Sequence, residues 1–196
     1  MAYLRNWSVY NVLKKILLSG ILLGATAAWA QVAPSARGGN STLWVGGEFS
    51  SFHPDYDAAR VLGPGVFFDF NLTQKLGVEG EARFMDWHGE GGETQKNYLA
   101  GVKYRLYRWN RFSFNAKFLL GGDWINYPNN IGNGSYFAYV PGGFVDYRVN
   151  RKWSVRGDYE YHFLPSAPGL QDGYPSHGLT PNGFSIGVAY RLLGAR

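Results

Sequence analysis

The chain has 196 residues, no cysteine and 27 glycines, and aromatic residues are as frequent as charged ones, at 17% each. That length fits one domain, and the lack of cysteine excludes a disulfide framework and a thiolate zinc site. The hydrophobic content of 45% and the mean hydropathy of −0.24 exclude a disordered tail and a helical membrane bundle. The net charge of +5 falls to near zero beyond the first thirty residues, which excludes a nucleic-acid-binding surface.

The first forty residues have the pattern of an export signal. Lys14-Lys15 precede an apolar run from Ile16 to Ala28, and Ala28-Trp29-Ala30 supplies the small residues of a cleavage site. The run of about a dozen residues is shorter than the ~20 that a spanning helix needs. We therefore expect a signal peptide over residues 1–30, cleaved after Ala30, and a flexible leader over 31–40. An uncleaved anchor or a buried helix is the alternative.

From residue 41 onward, apolar and polar residues alternate with a period of two, and no stretch keeps a helical period. This alternation predicts eight strands within a barrel domain of residues 41–193. Most are close in length to the ~9–11 residues with which a tilted strand crosses a bilayer. The predicted strands are 42–52, 62–72, 76–86, 97–107, 112–124, 136–149, 153–164 and 183–192.

The connections between these strands alternate in length without exception. In an up-and-down antiparallel sheet, this alternation places every short turn at one end and every long loop at the other. Outer-membrane barrels have this asymmetry, with short periplasmic turns and longer external loops. The short connections are 73–75, 108–111 and 150–152, and the long ones are 53–61, 87–96, 125–135 and 165–182.

One face of each predicted ribbon is apolar and the other is charged. In the seventh strand, Val155 and Tyr159 alternate with Arg156 and Asp158. Bulky aromatic residues lie at the ends of the apolar faces, and small residues such as Gly157 lie at their centres, which fits a surface with interfacial girdles that is covered by lipid chains. We therefore expect the apolar face to point outward into lipid. A soluble lipocalin-like barrel with the opposite orientation is the alternative.

The charged face would then line a narrow barrel, in which eight strands leave room for side chains and not for an aqueous channel. Because an unpaired buried charge costs several kcal/mol, we expect acids and bases to form an ion-pair network that plugs the lumen. Trp44, Phe67 and Leu119 also fall on this face, and Pro141 predicts a bulge or kink because it lacks a ladder donor. The predicted lumen-lining residues are Glu79, Glu81, Arg83, Lys103, Arg105, Lys117, Asp123, Asp146, Arg148, Arg156, Asp158 and Glu160, with Asp69 as a further acid.

Two segments resemble a known family. Residues 66–81 form a strand-turn-strand unit, and the closing strand 185–192 alternates Gly, apolar residues and Tyr-Arg. On these residues the chain resembles the small outer-membrane β-barrel superfamily, the OmpA/OmpX-like and opacity-protein-like surface proteins. The resemblance implies an all-β, eight-stranded antiparallel up-and-down transmembrane β-barrel in the bacterial outer membrane, inserted by the outer-membrane insertion machinery. Such chains usually end on an aromatic residue, whereas residues 192–196 follow Tyr190 here.

A cluster of Asp86, His88, Glu90 and Glu93 in the second long loop is a candidate site for a divalent cation, because it combines hard oxygen ligands with one imidazole. The same composition is typical of a solvated external loop. We favour the solvated loop and expect no metal.

A second candidate is the pair His162 and Ser166, at the rim of the seventh predicted strand. Some outer-membrane barrels hydrolyse acyl chains of lipid A with a His and a Ser, and such a serine needs an adjacent base and an oriented third group. The compact His-x-Ser-Asn arrangement of those enzymes is missing here. We therefore interpret His162 as the last member of the interior row.

The sequence thus predicts no enzymatic activity and no cofactor. The expected role is structural or surface interaction through the long external loops. The alternatives are a lipid A-modifying enzyme and a soluble lipocalin-like periplasmic binding barrel. The expected partners are outer-membrane lipid and lipopolysaccharide, the insertion machinery and an external protein or glycan, and not nucleic acid.

Overall fold

The computed structural model describes residues 41–55, 60–130, 132–168 and 178–194. The predicted signal peptide and leader lie outside these ranges. No helix of the described part is long and apolar enough to cross a bilayer. Two short 3-10 helices, Glu90–Gly92 and Pro128–Asn130, lie in long loops. The strands are β1 Thr42–His53, β2 Val61–Asn71, β3 Leu76–Met85, β4 Thr94–Trp109, β5 Phe112–Asn126, β6 Asn133–Arg148, β7 Trp153–Tyr161 and β8 Asn182–Gly194.

Every strand pairs antiparallel with the next along the chain, and β8 pairs with β1 to close the barrel. The closing seam runs from Thr42 opposite Gly194 to His53 opposite Asn182. Closure satisfies the backbone N–H and C=O groups of both edges within the sheet, which a strand in hydrocarbon requires because lipid offers no hydrogen-bond partner. The predicted eight-stranded up-and-down barrel is confirmed.

The two ends of the barrel differ in their connections. Side-chain oxygens fix two of the short hairpins: those of Thr73 and Asn150 accept hydrogen bonds from the backbone N–H of Leu76 and Trp153, both at 2.9 Å. We call the two ends the short-turn end and the long-loop end. The short-turn end holds the hairpins 72–75, 110–111 and 149–152, and the long-loop end holds 54–60, 86–93, 127–132 and 162–181.

The strand boundaries differ from the prediction mainly in the middle of the chain. β4 runs to Trp109, so that its hairpin to β5 contains two residues instead of four. β7 ends at Tyr161, and Phe163 continues the pairing with β6 only as an isolated bridge to Tyr139. This interruption lies across from Pro141, which has no N–H to donate to β7.

The bulge predicted at Pro141 is wrong for the β5–β6 pair. The register passes through Phe118 opposite Pro141 without a shift. Register shifts occur instead between Leu43 and Trp44 in β1 and between Arg105 and Tyr107 in β4, near the short-turn end.

The exposure of β7 decides between the two orientations of the faces. Arg156, Asp158 and Glu160 are 1%, 3% and 1% exposed, whereas Val155, Tyr159 and Tyr161 are 39%, 41% and 40% exposed. A soluble barrel requires the reverse arrangement, because its apolar face forms the core. The charged face therefore lines the interior, and the lipocalin-like alternative is wrong for this fold.

Aromatic side chains on the outer face form two belts, one near each end, as expected for residues at the two membrane–water interfaces. Between the belts lie small residues such as Gly80, Ala82 and Ala100, which border a shallow apolar depression. The short-turn belt contains Trp109, Phe112, Tyr147, Trp153 and Tyr190, and the long-loop belt contains Phe49, Phe84, Trp87, Tyr98, Trp124, Phe137 and Tyr139.

Candidate functional site

The interior of the barrel contains a charged layer and, toward the long-loop end, an apolar cap. The charged layer is built by inward-facing residues of the strands, which alternate with the lipid-facing ones, and the cap combines such residues with residues of the third and fourth long loops. The charged layer consists of Glu48, Asp69, Glu79, Glu81, Arg83, Lys103, Lys117, Asp146, Arg156, Asp158 and Glu160. The apolar cap consists of Leu99, Leu119, Ile125, Tyr127, Ala138, Val140, Leu164, Ala167 and Leu179.

Lys117 of β5 is the centre of the charged layer. Its Nζ lies 3.0 Å from Glu79 Oε1 and 2.5 Å from an oxygen of each of Glu81, Asp158 and Glu160. The four acids belong to β3 and β7, so one ammonium joins three strands across the lumen. All five side chains are buried, so the loss of one partner would leave an uncompensated buried charge.

Arg83 of β3 forms the second node. Its Nε donates to Glu48 Oε1 at 2.7 Å, its Nη1 donates to Glu160 Oε2 at 2.5 Å, and its Nη2 lies 2.8 Å from Glu81 Oε2. The planar guanidinium thus engages three carboxylates, a geometry that a lysine ammonium cannot reproduce. This node connects β1, β3 and β7.

Arg156 of β7 forms the third node, closer to the short-turn end. Its guanidinium lies between two aromatic rings, 4.2 Å from the centroid of Phe67 and 3.8 Å from that of Phe144. Its Nε donates to Asp146 Oδ1 at 3.0 Å, and its Nη2 bonds Asp69. The stacked guanidinium and its ring partners fill the lumen at this height.

His162 connects the charged layer with the long-loop end. Its Nδ1 lies 3.1 Å from Asp123 Oδ2 and its Nε2 lies 3.0 Å from Glu160 Oε2. Both ring nitrogens are therefore engaged by carboxylates, while Ser166 is exposed. The candidate pair His162 and Ser166, which the sequence analysis did not favour, is not brought together as a nucleophile and base.

The apolar cap is packed by β4, β5 and β6 and by the fourth long loop, where Leu164 and Leu179 pair as an isolated bridge. At its rim, the hydroxyl groups of Tyr127 and Tyr136 lie 3.1 Å apart. Burial, together with this hydrogen bond, raises the pKa of the Tyr127 phenol above its usual range. Apart from the Tyr127 hydroxyl, the side chains of the cap need no polar partner.

The structure brings ten of the twelve predicted lumen residues into ion pairs, counting Asp123 with His162. The other two, Arg105 and Arg148, lie at the short-turn end without an ion pair among the described residues. Sequence reasoning missed Glu48, because Gly46-Gly47 obscured the phase of β1. The alternation of Glu48 and Ser50 with the outward-facing Phe49 is the signal that could have identified it.

The candidate cation site of the second long loop does not form among the side chains that the structure describes, and the side chain of Glu90 lies outside that description. Asp86 and His88 are exposed and Glu93 is buried, and the described side chains of this loop do not converge as metal ligands. A group of carboxylates with suitable spacing does occur inside the barrel, at Glu79, Glu81 and Asp158. There Lys117 Nζ contacts all three, so an ammonium already supplies the positive charge.

Comparison with known proteins agrees with this architecture. The fold is similar to Neisserial surface protein A from Neisseria, with a TM-score of 0.56 and 10% identity over 78% of this chain and 97% of that one. It is also similar to the N-terminal β-barrel domain of Pseudomonas aeruginosa OprF, with a TM-score of 0.51 and 12% identity over 78% of this chain and 99% of that one. No curated protein matches the chain in sequence.

The described barrel falls almost entirely within a stretch that matches a protein-family model. The model describes the outer membrane protein beta-barrel domain, and it matches residues 16–191. The chain belongs to this family of outer-membrane β-barrels.

Proposed function

We propose that this outer-membrane barrel is a non-enzymatic protein with a charge-plugged lumen, and that it acts as a structural element of the envelope or in surface interaction through its long external loops. The observation that carries the proposal is the Lys117 node, in which one buried ammonium contacts four carboxylates from two other strands. Such a node ties strands across the lumen and occupies the space through which a solute would pass.

The three nodes and the apolar cap support a closed lumen. Moving an ion through the barrel would require separation of buried pairs, and each separation leaves an uncompensated charge that costs about 3–5 kcal/mol. The stack of Phe67, Arg156 and Phe144 adds a steric barrier near the short-turn end.

The long loops support the surface role because a contact joins the described parts of the first and fourth loops. The backbone N–H and the hydroxyl of Thr180 in the fourth loop both donate to Asp55 Oδ2 in the first loop, at 2.8 and 2.7 Å. A presented surface of this kind suits an external protein or glycan. The outer face between the aromatic belts would contact outer-membrane lipid and lipopolysaccharide, and the insertion machinery would act on the strands during assembly.

Membrane fractionation combined with electrophoresis of boiled and unboiled samples tests location and closure together. We expect recovery in the outer membrane and a mobility that changes on boiling, because a closed barrel resists detergent until it is heated. Recovery in the soluble periplasm with one mobility would contradict the proposal.

Planar bilayer recordings on the refolded protein test the plug. We expect no steady conductance. An ohmic current of constant unit size would contradict the closed lumen and favour a pore. Deletion of residues 168–175 in the fourth loop separates the two roles. Loss of binding to external proteins or glycans, with unchanged heat-dependent mobility, supports the surface role. Intact binding with altered envelope integrity supports the structural role.

A further inference from the structure

The short-turn end of the lumen opens into a mouth lined by arginines. These residues come from three different strands and one hairpin, and none of them belongs to the charged layer. We call this group the arginine mouth. It consists of Arg105 and Arg108 of β4, Arg111 of the 110–111 hairpin, Arg148 of β6 and Arg191 of β8.

The arginine mouth lacks carboxylate partners within the described part of the chain. Arg105 Nη1 donates to the backbone carbonyl of Gln74 at 2.7 Å, but its Nε is buried and has no hydrogen-bond partner. Arg148 lies close enough to Arg105, Arg108 and Arg191 to interact with their charges. These guanidinium groups therefore repel one another, and Asp69 and Asp146, which line the same end, offset part of this repulsion.

The nearest acids are already engaged by the charged layer. Asp146 accepts from Arg156 Nε at 3.0 Å, and Asp69 Oδ1 lies 2.6 Å from Lys103 Nζ. Five guanidinium groups thus line two adjoining cavities at this end of the barrel, and the neighbouring carboxylates are occupied. An arrangement of like charges is costly in an empty site and is stabilised when an anion binds.

The two ends of the barrel carry opposite charge. The four long loops contain six acids and one Arg, whereas the short hairpins contain four bases and no acid. Since the short-turn end of such barrels faces the periplasm, an anion would be attracted to the barrel from the periplasmic side and repelled at the external side.

The shape of the mouth suits a small, multiply charged group. The groove beside Arg105, Arg108, Arg148 and Arg191 has a volume of about 520 Å³, and it also borders Lys75. A second, much smaller cavity of about 30 Å³ shares Arg105, Arg108 and Arg148 with this groove and reaches the stacked guanidinium of Arg156. It has room for about one water molecule, so a ligand held in the groove cannot pass through. The mouth is therefore a blind pocket.

The geometry points to a binding site for a phosphate group on the periplasmic side of the barrel. A guanidinium pairs with phosphate oxygens through two parallel N–H···O bonds, and a phosphate carries more charge and more acceptors than one carboxylate. Several converging arginines match a doubly or triply charged anion better than a singly charged one. The phosphate can belong to a lipid headgroup or to a soluble phosphate ester.

The experiment is calorimetric titration of the folded full barrel with inorganic pyrophosphate, in nanodiscs of zwitterionic phosphatidylcholine at low salt. We expect saturable binding of one pyrophosphate per barrel, and the affinity should fall as salt screens the charges. In the double variant Arg105→Gln/Arg148→Gln the affinity should drop about tenfold or more, because hydrogen bonds between charged groups are lost.

A matched control has the same change in net charge at the other end of the barrel. Arg60→Gln/Lys96→Gln alters two exposed bases near the long-loop end and should bind pyrophosphate like the unmodified protein. Absence of saturable binding, equal binding in the Arg105/Arg148 variant, or an equal loss in the control would overturn the proposal. If the Arg105/Arg148 variant does not show the heat-dependent mobility of a folded barrel, Arg108→Gln/Arg111→Gln replaces it with the same expected loss.

A second titration identifies the source of the phosphate. Nanodiscs that contain phosphatidic acid should weaken pyrophosphate binding if a lipid headgroup occupies the mouth. Unchanged pyrophosphate binding in those nanodiscs assigns the site to a soluble phosphate ester. Either result supports a phosphate site, and both are independent of whether the loops bind an external partner.

Discussion

The charged layer and the apolar cap fill the same barrel by different physical means. In the charged layer, each side chain depends on particular partners on other strands, as Lys117 depends on Glu79 and Asp158. In the cap, Leu119 and Val140 need only neighbours of suitable volume. The comparison teaches that the layer specifies which strands meet at which height, whereas the cap supplies packing that tolerates exchange of one apolar residue for another.

The largest effect is expected in the charged layer. Lys117→Met leaves four buried carboxylates around an apolar side chain and should lower the free energy of unfolding by ~3–5 kcal/mol. Urea titration in lipid vesicles, followed by tryptophan fluorescence and gel mobility, measures this loss. The exposed control Lys96→Met should change stability by less than about 0.5 kcal/mol. Adding Glu81→Gln and Asp158→Asn to Lys117→Met should recover part of the loss, and no recovery would argue against a paired network.

In the apolar cap, Leu119→Ala should lower the free energy of unfolding by ~2–5 kcal/mol, because it removes buried methyl groups and leaves a cavity. Leu119→Met, which conserves volume, should cost less than about 1.5 kcal/mol. The same urea titration applies. If Leu119→Met were as harmful as Leu119→Ala, the distinction between a tolerant cap and a specific layer would fail.

A charge placed on the outer face, at the height of the charged layer, shows how costly a charge is without the ion pairs that are present inside. Gly157 lies between Arg156 and Asp158 in sequence and points outward, and a side chain added there meets no atom within 4 Å. Gly157→Arg should therefore lose ~2–4 kcal/mol through contact with lipid and not through a clash. Gly157→Leu is the control and should assemble normally, and failure of both variants would indicate a steric cause.

The smallest effect is expected at the rim of the cap. Tyr127→Phe removes the hydroxyl that lies 3.1 Å from the Tyr136 hydroxyl. The expected loss is ~1 kcal/mol, the net value of one hydrogen bond, with unchanged heat-dependent mobility. A loss as large as that of Leu119→Ala would mean that this rim is as specific as the charged layer.

The fold follows from local sequence properties. The alternation in strands such as Trp153–Tyr161 depends only on the period of a strand, and the alternating loop lengths give the up-and-down order. Which face is buried also follows, since Gly157 and the terminal aromatic residues mark the lipid side. The position of a side chain along the barrel axis is harder to predict from the sequence, because it depends on the stagger of neighbouring strands.

The interior shows where this limit applies. Arg105 and Arg148 have the inward phase that the sequence predicts, but strand stagger places them at the mouth, beside Asp69 and Asp146. Those two acids already pair with Lys103 and Arg156, so neither arginine forms an ion pair among the described residues. The convergence of four acids on Lys117 likewise requires contacts across the lumen between strands that are not adjacent. In β1, Gly46-Gly47 interrupts the alternation of apolar and polar residues, so Glu48 was not recognised as a lumen residue.

The seam between β1 and β8 has a consequence for assembly. The first and last strands of the ribbon, separated by the whole described domain, form one ladder in which Thr42 lies opposite Gly194. Neither β1 nor β8 has its second neighbouring strand until the last segment has been exported, so the chain carries two unpaired strand edges through the aqueous compartment. Such edges readily recruit other chains, and pairing of distant segments is slow. The final pairing of β1 with β8 is therefore the step at which chaperones are most needed.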